Sequence, residues 1–211
     1  MFLFTQRQTL YIIAACLISL LILGLFFAPF INKSSLRKKY KKSYYKKINK
    51  LVIDKDYLLI NNFIIKNLDI KIDHIVFAHK YIYIIKDSYY DGAIEGKIKD
   101  NKWVYYPYKN RDVLTVDNPY INLHQNLETL IQLVGLNKGL FYMISIINDD
   151  VFVNIENHKV KNYSIATRST LISTIEDIEN AADLKDINQD ELLAAAKGIA
   201  RINERNNKYH G

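Results

Sequence analysis

The chain has 211 residues, of which 49% are hydrophobic, and a formal net charge of +7 at pH 7. This apolar content excludes a disordered chain, which would bury too little surface to offset the entropy lost on folding. A mean hydropathy of −0.10 excludes a protein built largely of membrane spans. The single cysteine, Cys16, excludes an internal disulfide framework and a zinc site made of several cysteines. The length suits one soluble domain with an appendage.

The positive charge is concentrated at one end of the chain. Residues 1–50 hold ten of the 29 basic residues and none of the 22 acidic residues. The remaining 19 basic and 22 acidic residues give residues 51–211 a net charge of −3. The excess positive charge therefore belongs to one short segment and does not indicate a basic, nucleic-acid-binding domain.

Residues 10–31 form an uncharged and mainly apolar run. As a helix that rises about 1.5 Å per residue, this run would span about 33 Å, enough to cross the hydrocarbon core of a bilayer. A cleaved signal peptide is the competing interpretation, but the run exceeds the roughly 7–15 apolar residues typical of one, and no small-x-small cleavage site follows. We predict a transmembrane helix over residues 10–31, after a short N-terminal flank of residues 1–9.

Basic residues flank the predicted span unequally, since one precedes it and nine follow within the next 19 positions. The positive-inside rule therefore places the N-terminus outside the cell membrane and the C-terminal domain in the cytoplasm. The basic juxtamembrane segment, residues 32–50, has three compatible interpretations: a topology signal, attraction to anionic lipid headgroups, and contact with nucleic acid helped by interleaved tyrosines. The residues expected to make lipid or nucleic-acid contacts are Arg37, Lys38, Lys39, Lys41, Lys42, Lys46 and Lys47.

Residues 51–116 have the pattern of β-strands. Apolar runs rich in Ile, Val, Tyr and Phe alternate with clusters of Asn, Asp and Lys. Short separators between the runs suit antiparallel hairpins. The predicted strands are Tyr57–Ile65 (as one strand or two), Leu68–Phe77, Tyr81–Lys86, Ala93–Ile98 and Lys102–Tyr106.

After Pro119 the hydrophobic period changes to that of a helix, which Gly135 ends. The order of elements predicts an α/β (α+β) fold with a central mixed β-sheet flanked by helices. We place the folded domain at residues 51–166, with residues 167–211 as C-terminal helices packed on it or following it. The elements predicted after the first helix are strands Leu140–Ile147 and Val160–Ala166 and two further helices. The first of these begins near Ser173 or earlier, near Ser169 or Thr170, and the second begins near Asn188.

Four motifs follow one another along the chain: Ile72-Asp73-His74-Ile75, Gly92-x-Ile94-x-Gly96, Trp103 and Asn118-Pro119. Each is weak alone, but their order and spacing resemble the NERD domain, the nuclease-related domain of the PD-(D/E)xK restriction-endonuclease-like superfamily, over roughly residues 45–165. In that family an Ile-Asp-His strand precedes a strand that ends in Glu-x-Lys. The resemblance implies a restriction-endonuclease-like fold and, in active members, Mg²⁺-dependent cleavage of nucleic acid.

The resemblance also implies which positions would hold Mg²⁺. Asp73 matches the aspartate of the first strand, whereas the family glutamate falls on Lys86 and the family lysine on Ser88. The glutamate of the family's first helix has no counterpart, because the first glutamate of this chain is Glu95. A cation at Lys86 would repel Mg²⁺, so the sequence favours a degenerate site without metal or other cofactor.

The helix that Asn118-Pro119 opens carries one further family position. The family glutamine falls on Asn122 without a gap, or on Gln125 if three residues are inserted. The ungapped alignment keeps Leu127 and Leu130 in phase and is preferred, although neither choice identifies a catalytic residue.

A second stretch, Glu95-x-Lys97, also reads Glu-x-Lys. If the active site had migrated there, Asp73 and Glu95 would hold Mg²⁺, and Lys97 would position or activate water. The spacing disfavours this alternative, because Glu95 lies one strand later than the family glutamate. Asp87 and Asp91 are close enough in sequence to supply a substitute acid.

The favoured hypothesis is a single-pass membrane protein whose cytoplasmic NERD-like domain is catalytically inactive and binds nucleic acid or a protein partner. The alternative is a Mg²⁺-dependent, membrane-tethered nuclease with a migrated site. A third hypothesis is a lipid-surface or assembly factor that acts through the basic segment. The surroundings of Asp73 distinguish the first two: Glu95 on an adjacent strand would favour the enzyme, and Lys86 in that place would favour the inactive module.

Overall fold

The computed structural model describes residues 16–19, 22, 38–109, 112–156 and 160–208, with side chains described up to residue 203. Of the predicted transmembrane helix, only residues 16–19 and 22 are described, and these are helical. The rest of that span, the flank before it and Arg37 lie outside the described residues. Within the described ranges, no helix is both long enough and apolar enough to cross a membrane.

The chain divides into two compact units, residues 1–42 and residues 43–211. The described strands of the second unit form two mixed sheets, with orders β1-β2-β3-β7-β9 and β6-β5-β4-β8. Strands β3/β7, β7/β9 and β4/β8 pair in parallel and the others antiparallel. The strands are β1 (Leu58–Ile65), β2 (Ile70–Phe77), β3 (Ile82–Asp87), β4 (Gly92–Lys97), β5 (Lys102–Pro107), β6 (Leu114–Asp117), β7 (Phe141–Ile147), β8 (Phe152–Glu156) and β9 (Tyr163–Thr167).

The sequence predicted a single central sheet, but the described strands form two. After β3 and again after β7, the chain leaves the first sheet and continues in the second, as β4 and as β8. Ile82 pairs with Phe141 in the first sheet, and Ala93 pairs with Phe152 in the second. Paired residues are therefore the same number of positions apart along the sequence in both sheets. At the corner, the side chain of Asn148 bonds the backbone of the facing link. Its Oδ1 accepts from the N–H of Tyr90 at 2.9 Å, and its Nδ2 donates to the carbonyl of Tyr90 at 2.8 Å.

Helices cover both faces of the five-stranded sheet, as in an α/β sandwich. Helix α2 packs on β2, β3 and β7, and α4 packs on β1. Lys86 of β3 bonds Asn122 of α2, whereas Tyr83 bonds Glu179 of α3. Side chains an odd number of positions apart on a strand point to opposite faces, so α2 and α3 lie on opposite sides of the sheet. Besides the helical residues 16–19 and 22, the described α-helices are α1 (residues 38–55), α2 (Pro119–Val134), α3 (Leu171–Ala181) and α4 (Gln189–Lys208).

Helix α1 lies on the same side as α3. Its Lys55 forms an ion pair with Glu176 of α3, with Nζ and Oε1 2.8 Å apart. Tyr44, Ile48 and Leu51 of α1 are at most 1% exposed, and their spacing of four and three places them on one side of the helix. Residues 43–50, which the sequence assigned to a juxtamembrane segment, thus belong to the same compact unit as the sheets.

The predicted start and end of α2 are confirmed. The side chain of Asn118 accepts a hydrogen bond from the N–H of Tyr120 at 2.9 Å, and Pro119 is the first helical residue. Gly135, at φ 68°, ends the helix in the left-handed conformation that glycine adopts without strain. The Nδ2 of Asn118 also donates to the carbonyl of Ile98 at 2.8 Å, which ties the helix to the end of β4.

The glycines of the Gly-x-Ile-x-Gly motif allow β4 to pack closely on β5. A Cβ at Gly92 would lie 2.0 Å from the carbonyl oxygen of Tyr106, and one at Gly96 would lie 2.7 Å from Cδ1 of Trp103. Trp103 is 1% exposed, and its indole N–H donates to the carbonyl of Lys97 at 3.0 Å. The motif and the tryptophan therefore form one packing unit in the four-stranded sheet.

Tyr57 makes the free energy of unfolding fall as the pH becomes alkaline. Burial raises the pKa of Tyr57 from 10.0 to about 12, and the carboxylates of Glu179 and Glu176 add to the effect. A pKa raised on folding gives stability that is present below pH 10 and lost as the pH rises through 12. We expect Tyr57→Phe to reduce this loss by up to about 2 kcal/mol, a figure lowered to allow for partial screening by solvent. Urea denaturation at several pH values across that range measures the free energy of unfolding of each variant. Tyr45→Phe, at an exposed tyrosine, is the control. An equal loss of stability with pH in both variants would contradict the prediction.

Candidate functional site around Asp73

Asp73 lies on β2 at the point where this strand stops pairing with β3. The paired register ends at His74 opposite Ile85, and Asp73 and Lys86 are the next residues along the two strands. Asp73 is 6% exposed, and its Oδ2 accepts a hydrogen bond from the backbone N–H of Asp87 at 3.0 Å. The carboxylate thus binds β3 where the backbone ladder ends, which meets the need of a buried acid for a partner.

The backbone around Asp73 departs from regular β-structure. The register between β1 and β2 is the same on both sides of Asn62 and Asp73, which face each other without pairing. Asn62 has a φ of 52°, in the left-handed region. Along β2, Ile72 and Ile75 both belong to the hydrophobic core although they are an odd number of positions apart, so the alternation of side chains shifts by one residue at Asp73.

Lys86, which aligns with the family glutamate, reaches towards α2. Its Nζ donates a hydrogen bond to Oδ1 of Asn122 at 2.8 Å. Asn126 donates to the same oxygen at 3.2 Å and to the carbonyl of Lys71 at 3.0 Å. The structure therefore brings together two residues that the sequence assigned to family positions, Lys86 and Asn122.

Ser88, which aligns with the family lysine, is held through its backbone at the corner between the two sheets. Its N–H donates to the carbonyl of Ile146 at 2.8 Å, and its carbonyl accepts from the hydroxyl of Tyr44 at 3.2 Å. The second contact joins α1 to the end of β3.

A chain of polar side chains crosses β1, β2 and β3 on the face that α1 and α3 cover. Oδ1 of Asn61 lies 2.6 Å from Nδ1 of His74, and Oδ2 of Asp87 lies 3.1 Å from Nε2 of the same ring. The His74 and Asp87 side chains are 7% and 4% exposed. In the sequence, His74 has no other histidine at metal-ligand spacing, and no local pattern identifies Asn61 as its partner.

Oδ1 of Asp87 is buried and has no hydrogen-bond partner among the described residues. Buried carboxylate oxygens are seldom left in this state, because the group loses its hydration without a compensating bond. Of the two substitute acids considered from the sequence, Asp87 is adjacent to Asp73. Asp91 lies in the link between β3 and β4, where it accepts a hydrogen bond from the hydroxyl of Tyr105.

The structure does not bring Asp73 together with the Glu95-x-Lys97 stretch. Asp73 lies in the five-stranded sheet, whereas Glu95 and Lys97 lie on β4 of the four-stranded sheet. Glu95 is exposed and accepts a hydrogen bond from Nδ2 of Asn154 at 3.2 Å. Lys97 lies 3.6 Å from Glu156, in an exposed ion pair. The geometry required for a migrated site at Glu95 is therefore not present.

The residues around Asp73 do not fit the Mg²⁺ site that the resemblance implies. Such a site needs several oxygen ligands, with carboxylates from adjacent strands at its centre. Of the carboxylate positions that the resemblance implies, this chain has an acid at Asp73, and the next residue along the facing strand is the basic Lys86. In the described part of the chain, no group of three or more His, Cys, Asp or Glu side chains could hold a metal ion.

The basic segment is described from Lys38 onwards. Arg37 lies outside the described residues. The other predicted contact residues fall into two groups, the exposed Lys38, Lys39, Lys42 and Lys46 and the half-buried Lys41 and Lys47.

A mixed sheet with helices on both faces, and a buried aspartate where two of its strands separate, is the arrangement expected of a nuclease-related α/β protein. The family model described as the nuclease-related domain, NERD, matches residues 38–147, more than half of the chain. The chain therefore belongs to the NERD family. The match begins at the first described residue of α1 and ends with β7. No curated protein and no solved structure matches the chain.

Proposed function

We propose that this chain is a membrane-anchored NERD protein whose nuclease-related site does not cleave nucleic acid and whose cytoplasmic domain binds nucleic acid or a protein partner at the membrane. The observation that carries the proposal is Lys86. The family resemblance aligns Lys86 with the family glutamate, and its ammonium group is held by Oδ1 of Asn122 at 2.8 Å.

Two effects at this position oppose metal binding. Exchange of an anion for a cation turns the attraction of a divalent ion into repulsion, and the effect is strongest where little water screens the charges. Oδ2 of Asp73 is also engaged by the backbone of Asp87 at 3.0 Å. A binding role requires the fold but not the metal site. The packing of Trp103 and of α2 on the sheets maintains that fold.

Membrane anchoring rests on the uncharged run of residues 10–31 and on the basic residues that follow it. Nucleic acid is the partner that the family relationship suggests. The net charge of −3 over residues 51–211 favours the basic residues before position 51 as the main electrostatic contact. A protein partner would instead use shape and polar contacts on the domain.

The full-length chain is expected to show no Mg²⁺-dependent cleavage of labelled DNA or RNA, and Asp73→Ala is expected to leave this background unchanged. The reason is that one family carboxylate alone cannot hold the metal ion. Asp54→Ala, which removes an exposed acid at the end of α1, is the control. Cleavage that Asp73→Ala abolishes and Asp54→Ala preserves would contradict the inactive assignment.

The alternative function, a Mg²⁺-dependent nuclease with a shifted site, has one observation in its favour. Oδ1 of Asp87 is buried without a hydrogen-bond partner among the described residues, and the backbone N–H of Asp87 binds Asp73, so Asp87 is a better candidate for a second carboxylate than Glu95. Cleavage that is lost in Asp87→Asn and Asp73→Asn, but kept in Glu95→Gln, would favour this alternative.

A further inference from the structure

The outward side of α1 is a mixed basic and apolar surface within the compact unit that begins at Ser43. Its side chains lie three and four positions apart and therefore share one side of the helix. We call this surface the outer face of α1; it consists of Tyr45, Lys46, Asn49, Lys50 and Ile53. The opposite side of the same helix is buried in the domain.

The charged members of the outer face of α1, Lys46 and Lys50, are both basic. The first acidic residue of the chain is Asp54, which is exposed at the end of the same helix, four positions after Lys50. Lys46 and Lys50 are exposed and form no ion pair with any residue in the described part of the chain. Lys38, Lys39 and Lys42, in the unit that precedes Ser43, are also exposed. An anionic surface is the electrostatic complement of this helix.

The apolar members of the face distinguish between anionic partners. Ile53 is 71% exposed and Tyr45 is 43% exposed. Phosphates of a nucleic acid would match the lysines but would leave Ile53 in water. The interface of a bilayer suits all three residue types, because lysines reach the headgroups, tyrosine rings lie at headgroup level and aliphatic side chains enter the acyl boundary.

We propose that the outer face of α1 docks on the anionic lipid surface of the membrane and fixes the orientation of the NERD domain. This inference rests on the proposed membrane anchoring. Because Tyr44, Ile48 and Leu51 seat α1 in the core, the helix positions the domain rigidly instead of tethering it loosely. The face covered by α2 and α4 then points away from the bilayer and is accessible to a partner.

The test uses the full chain reconstituted in lipid nanodiscs, with Cys16→Ser to remove the native thiol. An environment-sensitive fluorophore is attached at Ile53→Cys, and nitroxide-labelled headgroups act as the quencher. The matched control is Leu133→Cys on α2, an apolar helix position that is 42% exposed on the other face of the sheet. Discs contain phosphatidylcholine alone or mixed with phosphatidylglycerol.

Quenching at position 53 is expected in anionic discs only, and it should weaken as salt is added. The label at position 133 should not be quenched. Lys46→Gln combined with Lys50→Gln should lower the ratio of docked to undocked domains roughly 25-fold, because each lysine near the surface is worth about fivefold. Equal quenching at both positions, or no effect of the lysine changes, would overturn the inference.

Two further outcomes separate its failure from that of the proposed function. A chain that stays in the discs while position 53 remains unquenched overturns the docking of α1 alone. A chain that is not recovered with the discs overturns the membrane anchoring and this inference together. A fluorescence change at position 53 on adding an oligonucleotide, without any lipid response, would also overturn the inference and assign the face to nucleic acid.

Discussion

Lys86→Glu is expected to give this chain a Mg²⁺ affinity that the native chain lacks. The substitution places a second carboxylate beside Asp73, where β2 and β3 separate, and oxygen ligands on adjacent strands are what Mg²⁺ requires. Without metal the variant should be less stable than the native chain, because two acids then repel each other and the bond to Asn122 is lost. At Mg²⁺ tenfold above its Kd, stability should rise by about 1.4 kcal/mol and Tm by about 3–6 °C.

Thermal unfolding with and without Mg²⁺ measures this response. Lys197→Glu, which adds an exposed carboxylate on α4 with no acidic residue three or four positions away, is the control and should not respond. Asp73→Asn in the Lys86→Glu background should remove the response. A Lys86→Glu variant that ignores Mg²⁺, or one that responds no more than Lys197→Glu, would show that the scaffold no longer keeps the geometry of a metal site.

The same background allows activity to be tested. Addition of Ser88→Lys to Lys86→Glu restores the family's Glu-x-Lys at the end of β3, and cleavage of labelled DNA and RNA reports whether the rebuilt set is sufficient. The backbone of Ser88 is held by Ile146 and Tyr44, so a new side chain there starts from a fixed backbone position.

Tyr44→Ala is expected to lower the free energy of unfolding by about 3–5 kcal/mol, as removal of a buried aromatic side chain does. Tyr44 is 1% exposed, and its hydroxyl bonds the carbonyl of Ser88 at 3.2 Å. Tyr44→Phe isolates the hydroxyl and should cost about 1 kcal/mol. Urea denaturation of the full chain, followed by a probe of the sheets, measures both effects.

The neighbouring residue supplies the control. Tyr45 lies on the outer face of α1 and is 43% exposed, so Tyr45→Ala should change stability by no more than about 0.5 kcal/mol. Equal losses for Tyr44→Ala and Tyr45→Ala would mean that α1 is an appendage of the domain and not part of its core.

Local signals were sufficient wherever a few adjacent residues define an element. Asn118-Pro119 and Gly135 predicted the start and end of α2, and strands β2 to β5 follow apolar runs with clear separators. The elements that were missed lack such signals. Strands β6 and β8 are short and largely exposed, and in α1 the buried Tyr44, Ile48 and Leu51 are interleaved with lysines that suggested a charged segment.

The candidate site shows the same division. The adjacency of Asp73 and Lys86 could be anticipated from the family resemblance, because it concerns consecutive strands. The pairing of His74 with Asn61 and Asp87 depends on the register of three strands, and a shift of one residue would have turned these side chains to the other face.

The sequence by itself determined the uneven distribution of charge, the family motifs and the presence of Lys86 at the position that the resemblance aligns with the family glutamate, because these follow from which residues are present and in what order. Only the tertiary structure decided which of them meet. The corner between β3 and β4 sends Glu95 into a different sheet from Asp73, and the packing of α1 on the domain turns part of a basic segment into a helix with one buried and one charged side. Both outcomes depend on contacts between residues distant along the chain, which local patterns do not encode.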